Sequence, residues 1–414
     1  MKKSLIGLAT ACCCLLSTAV SFAEYKTVCG WDDQLFPAYI LATGTVKIDS
    51  DGIDPHLLGD PAGIVGIDIV APAHNTKVTV TVTCPEFIEP SKYSGTLANG
   101  GEFYAVRPKI RYRYDRLGEC RQATPATVTF SVQLGDEPVE EIVKTVTFRS
   151  VNDCPIRVVE NGEVVDISFT FAAFANEQHP FVDKLLREAL DLGVVDRFTG
   201  YQSGDLNDVF RQVYALWDLM VARDTRYSSI TTTAADSSQI LSQHVRLLED
   251  TVNNGQANCV DGSVLFVSLL RKIGIKANLM LSPGHCYVTF WGDEEGTLVF
   301  GLETTLVDWT NDGATEISTD LDEVLTPDRR GVRSWDSFVN SITTATYTVA
   351  GDAEKFASPD EPEYLIIDVG QARTKGVLPI PYRGTEDFLG YDYSEYRQTQ
   401  YGEYQEDEEE VPAE

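Results

Sequence analysis

Apolar and polar positions alternate with one period in the first part of the chain and another in the second. Between Glu24 and Asp166 the runs Lys77 to Cys84, Tyr104 to Tyr114, Ala126 to Leu134 and Glu140 to Val151 set β-branched and aromatic residues against polar ones. Gly, Pro, Asn and Asp punctuate them, so they predict short antiparallel strands with turns between. Near Ile167 to Phe174 the chain runs apolar and the period changes. Pro180 to Val195, Asp205 to Asp224 and Ser238 to Gly255 repeat apolar residues at helical spacing and predict three helices. Phe210, Val213, Tyr214 and Trp217 fall on one face of the second, as a core stripe. Past His285 the period is two again: Cys286 to Trp291 and Thr297 to Val307 read as strands joined by the turn Gly292 to Gly296. Ser334 is expected to cap a further helix, and the stretch through Leu365 ends at Gly376.

This order implies an α+β protein: an all-β sandwich of immunoglobulin-like type over 24–166, then helices followed by antiparallel strands over 167–383. Residues 384–414 are acidic, rich in tyrosine and poor in aliphatics, and predict a disordered tail. The start of the chain has Lys2 and Lys3, an apolar run from Leu5 to about Val20, and Ser21-Phe22-Ala23. These are the charge, apolar centre and small-residue cleavage site of a secretory signal over 1–23, which makes Glu24 the expected mature start. Lipoprotein processing at one of Cys12 to Cys14 is the rival, but Ala9-Thr10-Ala11 lacks the leucine of such a site. No later run reaches the roughly 18 apolar residues that a membrane span requires. A periplasmic or secreted protein without a membrane span is expected.

A net charge of -30 repels phosphate backbones and anionic lipid, so nucleic acid is not an expected partner. Six cysteines follow the leader. Cys29, Cys84, Cys120 and Cys154 form an even set in the first part, which in an exported protein predicts two disulfides with the pairing open. Cys259 and Cys286 lie instead in the stretch with the densest chemistry. His56 and His74 sit in turn-like surroundings, and His179 and His244 are expected at the surface or at caps.

That stretch is Gln256 to His285. Asn258 can cap a helix opening at Cys259 and running through Val264, Leu265, Val267, Leu269, Leu270 and Ile273, with Arg271 and Lys272 in its last turn and Gly274 beyond. Being apolar on more than one side, it should be buried. A cysteine in the first turn feels the positive end of the helix dipole, which favours thiolate. His285 opens the following strand and is the expected proton acceptor. Glu303 on the next strand is the expected third group, with Asp308 as runner-up. Backbone N–H groups at the helix start can stabilise an oxyanion, and Gln256, with Gln243 behind it, could add a side-chain donor. Cys286 should point away from Cys259, as a small core residue or a regulatory disulfide partner. Cys259, His285 and His244 have no metal-ligand spacing, so no metal is expected.

The order cysteine, histidine, acidic residue on helix, strand, strand resembles the catalytic core of the transglutaminase-like superfamily, a papain-type cysteine fold. NCVDGSVLFVSLLRKIGI resembles its cysteine helix, PGHCYVTFW its histidine strand and VFGLETT its Asp-x-Thr strand. The resemblance covers roughly Phe210 to Asp308, and the whole chain is similar to exported bacterial proteins containing such a core. It implies Cys259 as nucleophile, His285 as base and Glu303 as third member. Glu303 stands where the superfamily has Asp, and Cys286-Tyr287 where a Trp usually follows the histidine. The implied reaction is hydrolysis or acyl transfer at an amide of a peptide, protein or peptidoglycan stem, through a thioacyl intermediate and without a cofactor. The alternative is a binding or assembly protein of the cell envelope that keeps the fold without turnover.

Overall fold

The computed structural model describes residues 25–48, 53–160, 162–229, 237–311, 313 and 321–401. The expected leader and residues 402–414 of the expected tail lie outside them. The architecture is mixed α+β. Two sheets account for the alternating first part: a four-stranded one in the order Tyr25–Cys29, Val65–Val70, Phe103–Arg107, Leu57–Gly59, and a six-stranded one in the order Gln34–Leu35, Glu140–Phe148, Thr124–Leu134, Thr76–Cys84, Ile88–Leu97, Arg111–Tyr112. Period-two patterning works as expected in the long strands, where Val78, Val80 and Val82 and, across the ladder, Val128, Phe130 and Val132 are buried. The predicted single strand Tyr104 to Tyr114 is in fact broken. Pro108 has no N–H for a ladder bond, and the chain leaves one sheet at Arg107 to rejoin the other at Arg111.

The two expected disulfides are not formed. Cys29, Cys84, Cys120 and Cys154 are buried free thiols. Cys84 lies close enough to Cys29 to raise its thiol yet is not bonded to it. The Cys120 thiol donates to the carbonyls of Gln122 and Arg149 at 3.3 Å each. Cys154 donates to the Pro155 carbonyl at 3.8 Å, and burial pushes the Cys29 thiol up to about 12.

A second correction concerns Ser238 to Gly255, expected as one helix. Ile240–His244 is a strand, antiparallel to Asp153–Glu160, and only Leu248–Asn254 is helical. Strand Asp153–Glu160 is the centre of this sheet, with Glu163–Asp166 on one edge and Ile240–His244 on the other. Asn152 clasps Val245 at the end of this pairing: its side-chain amide donates to the Val245 carbonyl at 2.7 Å, and its own carbonyl accepts the Val245 N–H at 2.8 Å. Tertiary pairing therefore overrides a weak helical pattern. It also crosses the expected boundary between 166 and 167, and the buried apolar cluster runs through both parts without interruption.

Helix Cys259–Lys272 lies at the centre of the second part. It packs on helix Leu206–Ala222, where the Trp217 and Phe266 rings meet at 5.5 Å. Its other neighbour is an antiparallel sheet ordered Val299–Leu302, His285–Trp291, Ala277–Ser282, Leu365–Ile367. Along the histidine strand Cys286, Val288 and Phe290 join the main core, while Tyr287 packs on Ala345 of helix Val332–Ala357 across the opposite face. That helix approaches so closely that a Cβ at Gly301 would stand 2.4 Å from the Ala345 backbone. Its N-cap is Gly331, not Ser334. Ser334 is buried inside the first turn and donates to Asp218 at 2.6 Å.

The predicted disordered tail is also corrected for its described portion. Ser394–Tyr401 is helical, and Tyr396 donates to Asp218 at 2.6 Å. The Arg223 guanidinium holds the Leu389 carbonyl at 2.8 Å. Tyrosines read as solvated composition here act as anchors, because their rings pack while their hydroxyls reach buried acids. Among the described residues no helix is long and apolar enough to cross a membrane.

Trp217 ties these layers together, fully buried and donating from its indole nitrogen to Ser337 at 2.8 Å. Trp217→Ala should destabilise the chain by roughly 3–5 kcal/mol, read as a lower urea midpoint.

Candidate active site

The site begins with how the cysteine helix starts. Asn258 has extended backbone and accepts the Asp261 N–H at 2.8 Å, while Asp261 accepts the Asn258 N–H at 3.1 Å. This reciprocal capping box fixes the first turn. Asp261 is itself buried, and Arg246 anchors it through a guanidinium bond at 2.6 Å and a backbone N–H at 2.8 Å. Cys259 is the first helical residue and is partly exposed. Its carbonyl accepts the Ser263 hydroxyl at 2.7 Å. The N–H groups of Cys259 and Val260 have no acceptor among the described residues, as expected for the open start of a helix.

Opposite the cysteine stands His285, first residue of its strand and paired with Ser282 across the turn. Gly284 takes φ 73° there, a left-handed conformation suited to glycine. His285 Nε2 lies 2.6 Å from Glu303 Oε2, and the Cys259 thiol is the ring's other hydrogen-bonding partner. With Nε2 on the carboxylate, Nδ1 is left to face the sulfur. The bonds to Cys259 and Glu303 outweigh partial burial and raise the imidazole to about 10.

Glu303 does not sit on a strand as expected. The strand ends at Leu302, and Glu303 caps a short 3-10 turn, Thr304–Leu306. This placement uses both carboxylate oxygens. One accepts the Thr305 N–H at 3.1 Å and its hydroxyl at 2.6 Å, and the other faces His285. Burial works to raise the acid, but the bonds from His285 and Thr305 outweigh it and hold Glu303 below the usual glutamate value. Ser341 pins the backbone, accepting the Glu303 N–H at 2.8 Å and donating to its carbonyl at 3.0 Å. The turn rests directly on the cysteine helix. A Cβ at Gly262 would come within 2.9 Å of Thr304 Oγ1, so only glycine allows this approach.

Three sequence-predicted residues thus converge, while others do not. Asp308, the runner-up acid, accepts the Tyr227 N–H at 3.2 Å and serves that backbone instead. Asn258 spends its side-chain oxygen on the cap. Gln256 is exposed in a two-residue strand parallel to Arg226–Tyr227, three residues before the thiol. Gln243 donates to the His244 carbonyl at 3.0 Å, and His244 faces Asp153 at 3.4 Å. His179 caps helix Pro180–Leu192 from a buried position. Cys286 leaves His285's face but turns toward the cysteine helix, where its thiol meets Ser263; this corrects the expectation that it points away.

Asp261, Thr305, Ser341 and Tyr227 were missed. Asp261 was findable, since an acidic residue three positions after an N-cap is the capping-box pattern. Tyr227 reaches the rim through pairing beside Gln256, and burial, then the negative charges of Cys259 and Glu303, push its hydroxyl up. Nothing in its local sequence announces this. No protein-family model matches the chain, and a search of the curated proteins finds no match.

Thr305→Val should remove the hydroxyl that fixes Glu303. A hydrogen bond to a charged group contributes about 1.5 kcal/mol or more, so alkylation of Cys259 should slow roughly tenfold. Its acid limb should move to higher pH, because Glu303 loses a group that holds it down; an unchanged rate and limb would contradict the positioning role.

Proposed function

We propose that the chain is a cysteine-dependent amide hydrolase or acyltransferase with a transglutaminase-like core, acting through a thioacyl intermediate at Cys259. The observation that carries this is the convergence of thiol, imidazole and carboxylate from three separate elements, with Glu303 held on both oxygens. Sulfur attacks the amide carbonyl, and the open N–H groups of Cys259 and Val260 receive the developing oxyanion. Gln256, exposed at the same rim, supplies a further donor. His285 gives its proton to the departing amine, leaving a thioester on Cys259. Water or a second amine then takes the acyl group, and His285 recovers a proton from it.

The substrate class is an amide of a peptide, a protein or a peptidoglycan stem, met in the periplasm or outside the cell. No cofactor enters this chemistry. The two sheets of the first part form an immunoglobulin-like unit that orients or spaces the core. Intact-mass spectrometry of the protein quenched from a pool of stem and casein peptides should show an acyl adduct on Cys259, absent from Cys259→Ala. If no adduct forms and iodoacetamide labels Cys259 no faster than a free thiol, with His285→Ala changing nothing, the chain is an assembly protein without turnover.

A further inference from the structure

Away from Cys259, a cavity of about 420 Å³ opens where both sheets of the first part meet strand Asp153–Glu160. None of its lining residues belongs to the site described above. Its volume lies in the range of small-ligand sites. The walls carry both signs of charge. Arg107 is already engaged, donating to the Ile67 carbonyl at 2.8 Å and to Asp68 at 2.7 Å, and Lys144 is paired with Asp33 at 2.5 Å. Three further charges on the lining have no opposite partner among the described residues: Lys26, Asp32 and Glu160. Glu160 accepts only the Trp31 indole N–H, at 2.6 Å, and Asp32 accepts the Ser237 hydroxyl at 2.7 Å.

The backbone at the mouth is a tight turn. Trp31 and Gln34 exchange hydrogen bonds around a two-residue turn in which Asp32 and Asp33 take φ 50° and 56°. Such a turn is cheapest with Asn-Gly. This chain instead places two aspartates in left-handed conformations, which Asp tolerates better than most residues, and both line the cavity. Asp33 uses this conformation to reach Lys144 and the Thr147 N–H. Lys26, Asp32 and Glu160, by contrast, leave charges of both signs unpaired among the described residues around one cavity, which points to a ligand carrying both signs.

We propose that this cavity binds a short zwitterionic peptide, its carboxylate on Lys26 and its ammonium on Asp32 and Glu160. Val28 and Val159 give the apolar part of the wall for a small side chain. A single free amino acid presents the same two charges, and the test separates the two sources by size.

Calorimetric titration of the full chain carrying Cys259→Ala, which removes turnover, with Ala-Ala should give saturable binding. N-acetylation or C-amidation of the dipeptide should each weaken it about tenfold, the contribution of one charged hydrogen bond. Glu160→Gln keeps an acceptor for Trp31, and Asp32→Asn tolerates the left-handed turn. Both should weaken Ala-Ala while leaving the N-acetyl form nearly unaffected. Tighter binding of alanine than of Ala-Ala would replace the peptide by the free amino acid. Absence of saturable binding, or equal affinity for the free and capped dipeptides, overturns the proposal without bearing on Cys259.

Discussion

His285→Ala should lower the proposed turnover roughly 10⁴-fold, the scale of losing one member of a nucleophile–base–acid set. Carboxymethylation of Cys259 near neutral pH should fall with it, because the imidazole is the basic group hydrogen-bonded to the thiol. The same substitution alters stability in a defined window. The imidazole stands at about 10 in the folded chain, against about 6.5 when unfolded. Its contribution is therefore complete below about pH 6.5 and is lost as pH rises through about 10. Urea midpoints measured across that range should decline in the parent protein and stay flatter in His285→Ala. Parallel curves, with alkylation unchanged, would mean that His285 and Cys259 do not act as a unit.

Asp261→Ala is the second large effect, and it separates architecture from chemistry. The substitution removes the carboxylate that completes the cap on Asn258 and that holds Arg246. Breaking such a buried pair from one side costs about 3–5 kcal/mol. Loss of the reciprocal cap frees the first helical turn, so alkylation of Cys259 should slow even in the fraction that remains folded. Unfolding followed by circular dichroism gives the first number and alkylation of the folded fraction gives the second. A drop in stability with native alkylation would show that the cap holds the fold without holding the thiol.

How much of this was legible in sequence depends on the range of the forces involved. Cap, helix and strand start around Cys259 and His285 were readable because they arise within a few residues. The acid was readable as Glu303 but not as a cap on a turn, since that depends on Thr305 and on Ser341 from a helix far along the chain. Ile240–His244 was misread because its pairing partner lies some ninety residues earlier in the chain and outweighs local periodicity. The cysteines of the first part were misread for a different reason. Counting thiols says nothing of whether packing brings two sulfurs together, and here carbonyls take the Cys120 hydrogen instead. Tyr227 was invisible because it enters through a two-residue parallel pairing.

The ladder between Asp153–Glu160 and Ile240–His244 has a practical consequence for cutting this protein. A fragment starting at residue 167 would keep thiol, imidazole and carboxylate, yet would bare one edge of Ile240–His244 along its length. An open strand edge is a template for another copy of itself, so the isolated fragment should self-associate. An expressible fragment must therefore keep Asp153–Glu160 beside Ile240–His244, and any transplant of this chemistry must carry that strand along.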